Sequence, residues 1–414
     1  MRFFINILIA STFLSLVSCG GGSSGGSSSN IPVTACVPQG DDSTQNIDGS
    51  ANWIPSHLSS DHFGSTISRY DLNGNPIIIN YMVHQPTGTP KAIVVLIAGG
   101  DMNAYLTGTG DGGTTTSSGG NFLVRSAHRF ATQGYRVITI DRPSDYTEYG
   151  DILNLSYLYD AYRNSMDHAV DLATIIKREN MDNLDVLIAG TSRGSISATA
   201  NNLLAAGIGL SAVLTVSGRG GSPIGSANLP ISTIQRPTHI LSHQEDSCIA
   251  TPPSGARSLY TSLEANNINV AIDEVTGGFV DTVRNDPCGA FHYHGFLGIE
   301  TCAVNKATGW ADTLLSATEA NFPANSRPVG YDLLLNSSGG TTGFTLSAND
   351  IDGDTLSYAI PYSNSSLGGT VSINTNGTGT YVPPNGVTGT TDYFVFVATD
   401  NKGGVGIGIV SISL

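Results

Sequence analysis

Charge is scarce in this sequence: Asp, Glu, Lys and Arg make up only 12% of it, and the basic sign is the scarcer, 18 residues against 33 acidic ones. The net charge of −15 and a pI near 4.8 argue against a nucleic-acid partner, whose phosphates would repel the chain, and no basic patch offsets this. Long apolar runs are also missing at the N-terminus, where residues 3–17 are apolar but too few for a transmembrane helix. Cysteine is sparse, with 5 in 414 residues. What abounds is glycine, 50 residues of it, and together with the low charge it points to a turn-rich, β-containing protein. The length allows two domains and a sizeable core.

Residues 185–195, Asp-Val-Leu-Ile-Ala-Gly-Thr-Ser-Arg-Gly-Ser, carry an apolar run into a Gly-x-Ser-x-Gly pentapeptide with a helix-like segment behind it. That pattern predicts a strand, a sharp turn and a helix, with Ser192 strained and exposed at the turn. Gly190 and Gly194 let strand and helix approach without Cβ clashes. The free N–H groups at the start of the helix favour an oxyanion, and the Arg193 N–H is one expected donor.

Around this turn, apolar strands and helices alternate. A hairpin is predicted over 65–83 with its turn at Asn73-Gly74. A fully apolar strand follows at 92–98, then a Gly/Thr/Ser loop at 107–120 without phosphate-binding spacing. Helices are predicted at 122–133, 159–178, behind Ser192 to about 204, at 255–266 and at 306–320. Strands are predicted at 135–141, 186–189, 212–216, 238–242 and 269–275. Strands separated by helices mean a mostly parallel sheet covered on both faces. The stretch 218–236 is too short for a helical cap, so the site should be open. Pro323 and Pro328 mark a linker, beyond which short alternating segments such as 379–382 and 393–397 predict a small antiparallel β-sandwich.

A serine becomes a nucleophile when an imidazole takes its proton and a carboxylate fixes the imidazole tautomer. In elbow-based folds the partners follow in the order serine, acid, histidine. His57, His62, His84, His128 and His168 precede Ser192, and His239 and His243 precede the best acid, which leaves His292 and His294. Asp246 is the preferred acid because it sits in the loop leaving the 238–242 strand. Glu245 competes, and Asp281 and Asp286 rank third. His294 is preferred as base, since Gly295 leaves space beside its ring and Phe296 can anchor the loop, whereas His292 reads as solvent-facing. The second oxyanion donor is expected at Gly100 or Asp101, after the first buried strand. Asp101 and Asp145 would disfavour an oxyanion if they pointed inward, so they should face away or pair with Arg193 or Arg142.

The first residues carry one positive charge, an apolar run and small residues before Cys19, an export signal. Leu16-Val17-Ser18-Cys19 resembles the lipobox of bacterial lipoproteins, which implies cleavage before Cys19 and lipidation of it. Gly20 stands where an inner-membrane retention aspartate would be, so an outer-membrane lipoprotein, periplasmic or cell-surface facing, is implied for a Gram-negative host. Residues 20–30 are a Gly/Ser tether and 31–64 an N-terminal arm without assignable regular structure. The sheet-and-helix domain is placed at 65–322 and the sandwich at 323–414. Four cysteines remain, allowing three disulfide connectivities, of which Cys248–Cys288 with Cys36–Cys302 is preferred.

Residues 65–320 resemble the α/β-hydrolase superfamily through Gly190-Thr191-Ser192-Arg193-Gly194, the Ala98-Gly99-Gly100 turn, Asp246 in its loop, and His294 followed by Gly-Phe. Cys248 followed by Thr251-Pro252-Pro253 adds a likeness to bacterial exported hydrolases. The resemblance implies an α/β-hydrolase fold, hydrolysis of a small-molecule or polymeric ester, and no metal or organic cofactor for catalysis. It departs from the superfamily at Ala98-Gly99, where a histidine-glycine pair is usual. A peptidase or polyester hydrolase on the same triad, and a surface adhesion protein with an inactive hydrolase domain, are the alternatives. The last ~85 residues resemble bacterial immunoglobulin-like or cadherin-like repeats, the second domain being a small all-β Ig-like sandwich. There Asp350, Asp352, Asp354 and Asp400 put hard oxygens on turns, which suits Ca²⁺ or a solvated turn.

Overall fold

In the computed structural model, residues 31–52, 61–113, 115–117, 119–146, 157–205, 207–210 and 234–414 are described. Cys19, the signal and tether, the strand predicted at 212–216 and residues 218–233 lie outside them.

Nine strands form one sheet: β1 (Val33–Ala35), β2 (His62–Tyr70), β3 (Pro76–His84), β4 (Ile93–Ile97), β5 (Arg136–Ile140), β6 (Val186–Gly190), β7 (Gly207–Leu210), β8 (Thr238–His243) and β9 (Val270–Thr276). Their order is β1-β9-β8-β7-β6-β4-β5-β3-β2, and β3 alone runs against the rest. From β2 to β9 this is the strand order of the α/β-hydrolase fold. The apolar run of β4 explains its central place. Ile93, Val95 and Ile97 enter one core and Val94 and Leu96 the core on the opposite face. Each such side chain contributes about 1.5–3 kcal/mol on burial, so both faces must be covered.

Helices α1 (Phe122–Thr132) and α6 (Glu300–Asn321) cover one face. The other is covered by α3 (Met166–Glu179), α4 (Gly194–Ala200) and α5 (Pro253–Ala265), with α2 (Tyr157–Arg163) leading into α3. The single helix expected over 159–178 is therefore two: the Ser165 side chain accepts from His168 N at 3.3 Å and caps a fresh helix start. Helix α6 begins six residues earlier than the pattern predicts, because Glu300 in its first turn is buried against Arg125 at 2.9 Å and Ser43 Oγ at 2.6 Å. The loop expected at 107–120 contains a small hairpin, Leu106–Gly108 with Thr115–Ser117. The N-terminal arm is not without structure either: β1 adds a parallel edge strand to β9, and Cys36 just beyond it is bonded to Cys302 of α6.

After α6 come β10 (Leu333–Asn336), β11 (Thr342–Thr345), β12 (Ser357–Ala359), β13 (Thr370–Ile373), β14 (Thr378–Val382), β15 (Thr391–Thr399) and β16 (Val405–Ser413). They form an Ig-like sandwich of a four-stranded sheet, β10-β16-β15-β12, and a three-stranded sheet, β11-β14-β13. It is not wholly antiparallel, since β10 pairs parallel with β16. Phe344 and Phe394 meet at 5.4 Å between the sheets.

Candidate active site

Strand β6 lies at the middle of the sheet and ends at the predicted turn. Ser192 sits there at φ 53°, the left-handed region that costs a non-glycine residue strain. The geometry explains the flanking glycines. A Cβ on Gly190 would lie 2.0 Å from Gly194 O, and one on Gly194 would lie 2.3 Å from Ile97 O. Gly99 is likewise forced, since a Cβ there would stand 2.9 Å from Ser192 Cβ. The turn that follows β4 thus presses directly on the serine.

Asp246 follows β8 in a turn closed by its own N–H to His243 O. Its Oδ1 accepts from Cys248 N at 2.9 Å, and its Oδ2 lies 3.0 Å from His294 Nδ1. Both side chains are 5% exposed. His294 occupies a short 3₁₀ turn, Tyr293–Gly295, in the segment after β9. Gly295 is required for a reason other than the expected one: its Cβ would collide with Ala290 O at 2.0 Å, not with the imidazole. Phe296, at φ 54°, anchors the turn against Phe122 at 4.9 Å. Ser192 and His294 line one cleft of about 280 Å³ with Gly100, Tyr105, Asn121 and Phe291. A larger cavity, about 710 Å³, lies between α6 and the sandwich, away from these residues.

The competing residues are placed elsewhere. Glu245 is exposed. Asp281 accepts from Val283 N and Arg284 N, and Asp286 from Cys288 N, so both shape the segment before the histidines. His292 is 7% exposed rather than solvent-facing, edge-on to Tyr293, and burial lowers its pKa. His243 is also held neutral by burial, against the opposing pull of Gly277 O, and it stacks on Tyr293 at 4.7 Å. Both preferred disulfides are present, and Cys248–Cys288 joins the acid segment to the base segment.

On the oxyanion side, Gly100 adopts φ 56°, and the N–H groups of Gly100, Asp101 and Arg193 have no partner among the described residues. The Asp101 carboxylate turns to Arg142 at 3.2 Å, as expected. Asp145 instead pairs with Arg69 at 2.8 Å, and Arg193 with Asp160 at 3.3 Å. The Thr251 hydroxyl was not singled out by order or spacing, yet it is 2.8 Å from both Asp246 Oδ2 and His294 Nδ1. Its one sequence signal is its place in the acid's own loop, before Pro252-Pro253.

In the sandwich, ligand oxygens of Asp350, Asp352 and Asp354 lie within 4.8 Å of one another. Lys402 Nζ is 2.6 Å from Asp354 Oδ1 and already supplies a cation there. Asp400 is not part of the group: its oxygens accept from Lys402 N, Gly404 N and Asn325 Nδ2.

Residues 325–413 match the family model of the bacterial Ig domain. No curated protein matches the chain. Among solved structures it is similar to the carboxylesterase Cest-2923 from Lactobacillus plantarum WCFS1, at 13% identity and TM-score 0.39, over 62% of this chain and 97% of that one. An alpha/beta hydrolase enzyme from a Medee basin deep-sea metagenome library is similar at 14% identity and TM-score 0.35, over 61% and 99%. A lidless a/b serine hydrolase from Xanthomonas campestris is similar at 13% identity and TM-score 0.34, over 63% and 96%.

Proposed function

We propose that this chain is an exported serine hydrolase that cleaves carboxylic esters through an acyl-enzyme on Ser192. The observation that carries the proposal is a single cleft shared by Ser192, at its strained turn, and His294, whose Nδ1 is held by Asp246. Because Asp246 can only accept, Nδ1 carries the proton and Nε2 is left as the base. Nε2 takes the Ser192 proton as Oγ bonds to the ester carbon, and the carbonyl oxygen becomes an oxyanion facing the N–H groups of Arg193 and of Gly100 or Asp101. The imidazolium then gives its proton to the departing alcohol. Water repeats the sequence on the acyl-enzyme and releases the acid. The reaction so drawn needs no cofactor.

Export is supported by the two disulfides and by the bacterial Ig domain, both suited to an extracytoplasmic setting. Anchoring through lipid on Cys19, at the outer membrane, completes the proposal and rests on the sequence alone. The test is labelling with a fluorescent organophosphonate at neutral pH, together with a panel of p-nitrophenyl esters, peptides and polyesters. Labelling and ester hydrolysis are expected in the native chain and in neither Ser192→Ala nor His294→Ala. An unlabelled native protein would sink the proposal.

A further inference from the structure

We propose that Arg163 is a positioning residue for the oxyanion site, fixing the turn at residues 99–101 so that its N–H groups face the reacting carbonyl. The inference rests on the reaction proposed above and deepens it.

Arg163 ends α2 and is wholly buried, at 0% exposure. Its Nη2 donates to Ala98 O at 3.1 Å and to Gly100 O at 3.2 Å. Its Nη1 donates to Ser197 Oγ at 3.0 Å, on the helix behind the nucleophile. One planar guanidinium therefore ties the turn after β4 to α4. The consequence follows from the peptide bond. In a trans peptide the carbonyl and the following N–H point opposite ways. With Gly100 C=O turned to Arg163, the Asp101 N–H is turned away from it, and the same holds for Ala98 C=O and the Gly99 N–H. Gly99, Gly100, Asp101 and Ser192 all line the cleft.

A turn made of two glycines needs such a clamp. Gly100 at φ 56° has open space where a Cβ would be, so nothing of its own restricts it. The clamp is itself fixed: Asn201 Nδ2 donates to Arg163 O at 3.1 Å, and Ser165 caps the next helix two residues on. Arg163 is also an expensive way merely to fill space. Its hydrogen-bond partners named above are all neutral oxygens, the nearby Asp160 carboxylate that acts on its charge is itself paired with Arg193, and burying a cation costs several kcal/mol. The charge has an effect that a packed apolar side chain lacks. It polarises the two carbonyls, and each polarised peptide becomes a better N–H donor on its far side.

The test uses Arg163→Lys and Arg163→Met in the full chain, with far-UV circular dichroism to establish folding. The lysine variant keeps the charge and one donor, and it carries the test if the methionine variant does not fold. Deleting one oxyanion donor costs about 100- to 1000-fold in kcat, so a displaced one should cost on the order of 100-fold, with KM within about two-fold. A trifluoromethyl ketone, whose adduct on Ser192 carries the oxyanion, should lose affinity by the same factor, while inhibition by the product alcohol stays unchanged. A folded variant with native kcat and ketone affinity would overturn the role, as would equal losses for ketone and alcohol. Failure of the native protein to label with phosphonate would overturn the reaction itself, which separates the two outcomes.

Discussion

At the proposed acid–base pair, three polar atoms share two protons. Asp246 Oδ2 can only accept, so the Nδ1–H of His294 and the hydroxyl of Thr251 both point at it, across 3.0 and 2.8 Å. The hydroxyl lies against Nδ1 as well, which keeps the ring from turning its other nitrogen toward the acid. A hydrogen bond to a charged group is worth about 1.5–3 kcal/mol. Thr251→Val should therefore lower kcat by about 10-fold or more, and Thr251→Ser should restore it, as read by steady-state kinetics on a p-nitrophenyl ester. A second single-residue effect concerns stability. His84 is 5% exposed, its Nε2 has no partner among the described residues, and burial pushes its pKa down to about 4. An unfolded histidine titrates near 6.5, so the unfolded chain binds the proton first as pH falls. The stabilisation is complete above about pH 6.5, declines toward about pH 4, and amounts to a loss of roughly 2 kcal/mol at pH 5. His168, wholly buried, is shifted the same way. Urea titrations at pH 7.5 and 5.0 should show this loss, and His84→Met should shrink the difference between the two pH values.

Among the elements, the two that deliver the proposed acid and base share a covalent tie. Asp246 lies beyond β8 and His294 beyond β9, and Cys248–Cys288 closes a 40-residue separation between them. Closing such a loop contributes about 2–4 kcal/mol by restricting the unfolded chain, and here it also ties together the two loops proposed to carry the acid and the base. Cys248→Ala with Cys288→Ala should lower kcat at least about 10-fold while far-UV circular dichroism is retained. Cys36→Ala with Cys302→Ala, which frees only the edge strand β1 from α6, should lower the melting temperature and leave kcat within about two-fold. Equal kinetic losses from both pairs would contradict this division. The long apolar strands and their helices were legible because burial on both faces writes itself into consecutive residues. Strand β1 was not, since three residues hold no period, and the break between α2 and α3 was hidden because Ser165 caps a helix inside a stretch that remains periodic. At the candidate site, chain order singled out Asp246 and His294, whose side chains lie 3.0 Å apart. Thr251 and Arg163 escaped because their importance lies in what they touch: Arg163 meets oxygens 65 and 63 positions away.

For the molecule as a whole, the C-terminal sandwich is no loosely tethered spacer. Pro32–Leu414 forms one compact unit. Strands β15 and β16 pack on helix α3, and Phe394, Val395 and Ile407 share a continuous core with Met166, Leu172 and Ile175. Polar ties close the contact: Lys177 Nζ donates to Gly330 O and Ile407 O, each at 2.9 Å, and Arg327 Nε lies 3.2 Å from Asp185. Tyr362 Oη reaches Asn201, the residue that holds the Arg163 backbone, at 3.4 Å. Helix α3 thus has an apolar surface that water would meet if the sandwich were removed, and exposure costs about 25 cal/mol for each Å². Domains joined by a small polar interface melt separately, whereas a shared core couples them into one transition. Calorimetry of residues 32–414 should show a single endotherm whose calorimetric and van't Hoff enthalpies agree. A chain ending at residue 322 should aggregate or melt well below the intact protein, and its remaining folded fraction should label poorly with phosphonate. Two resolved endotherms, or a truncated chain with native stability and labelling, would show instead that the sandwich is a passenger on a self-sufficient catalytic domain.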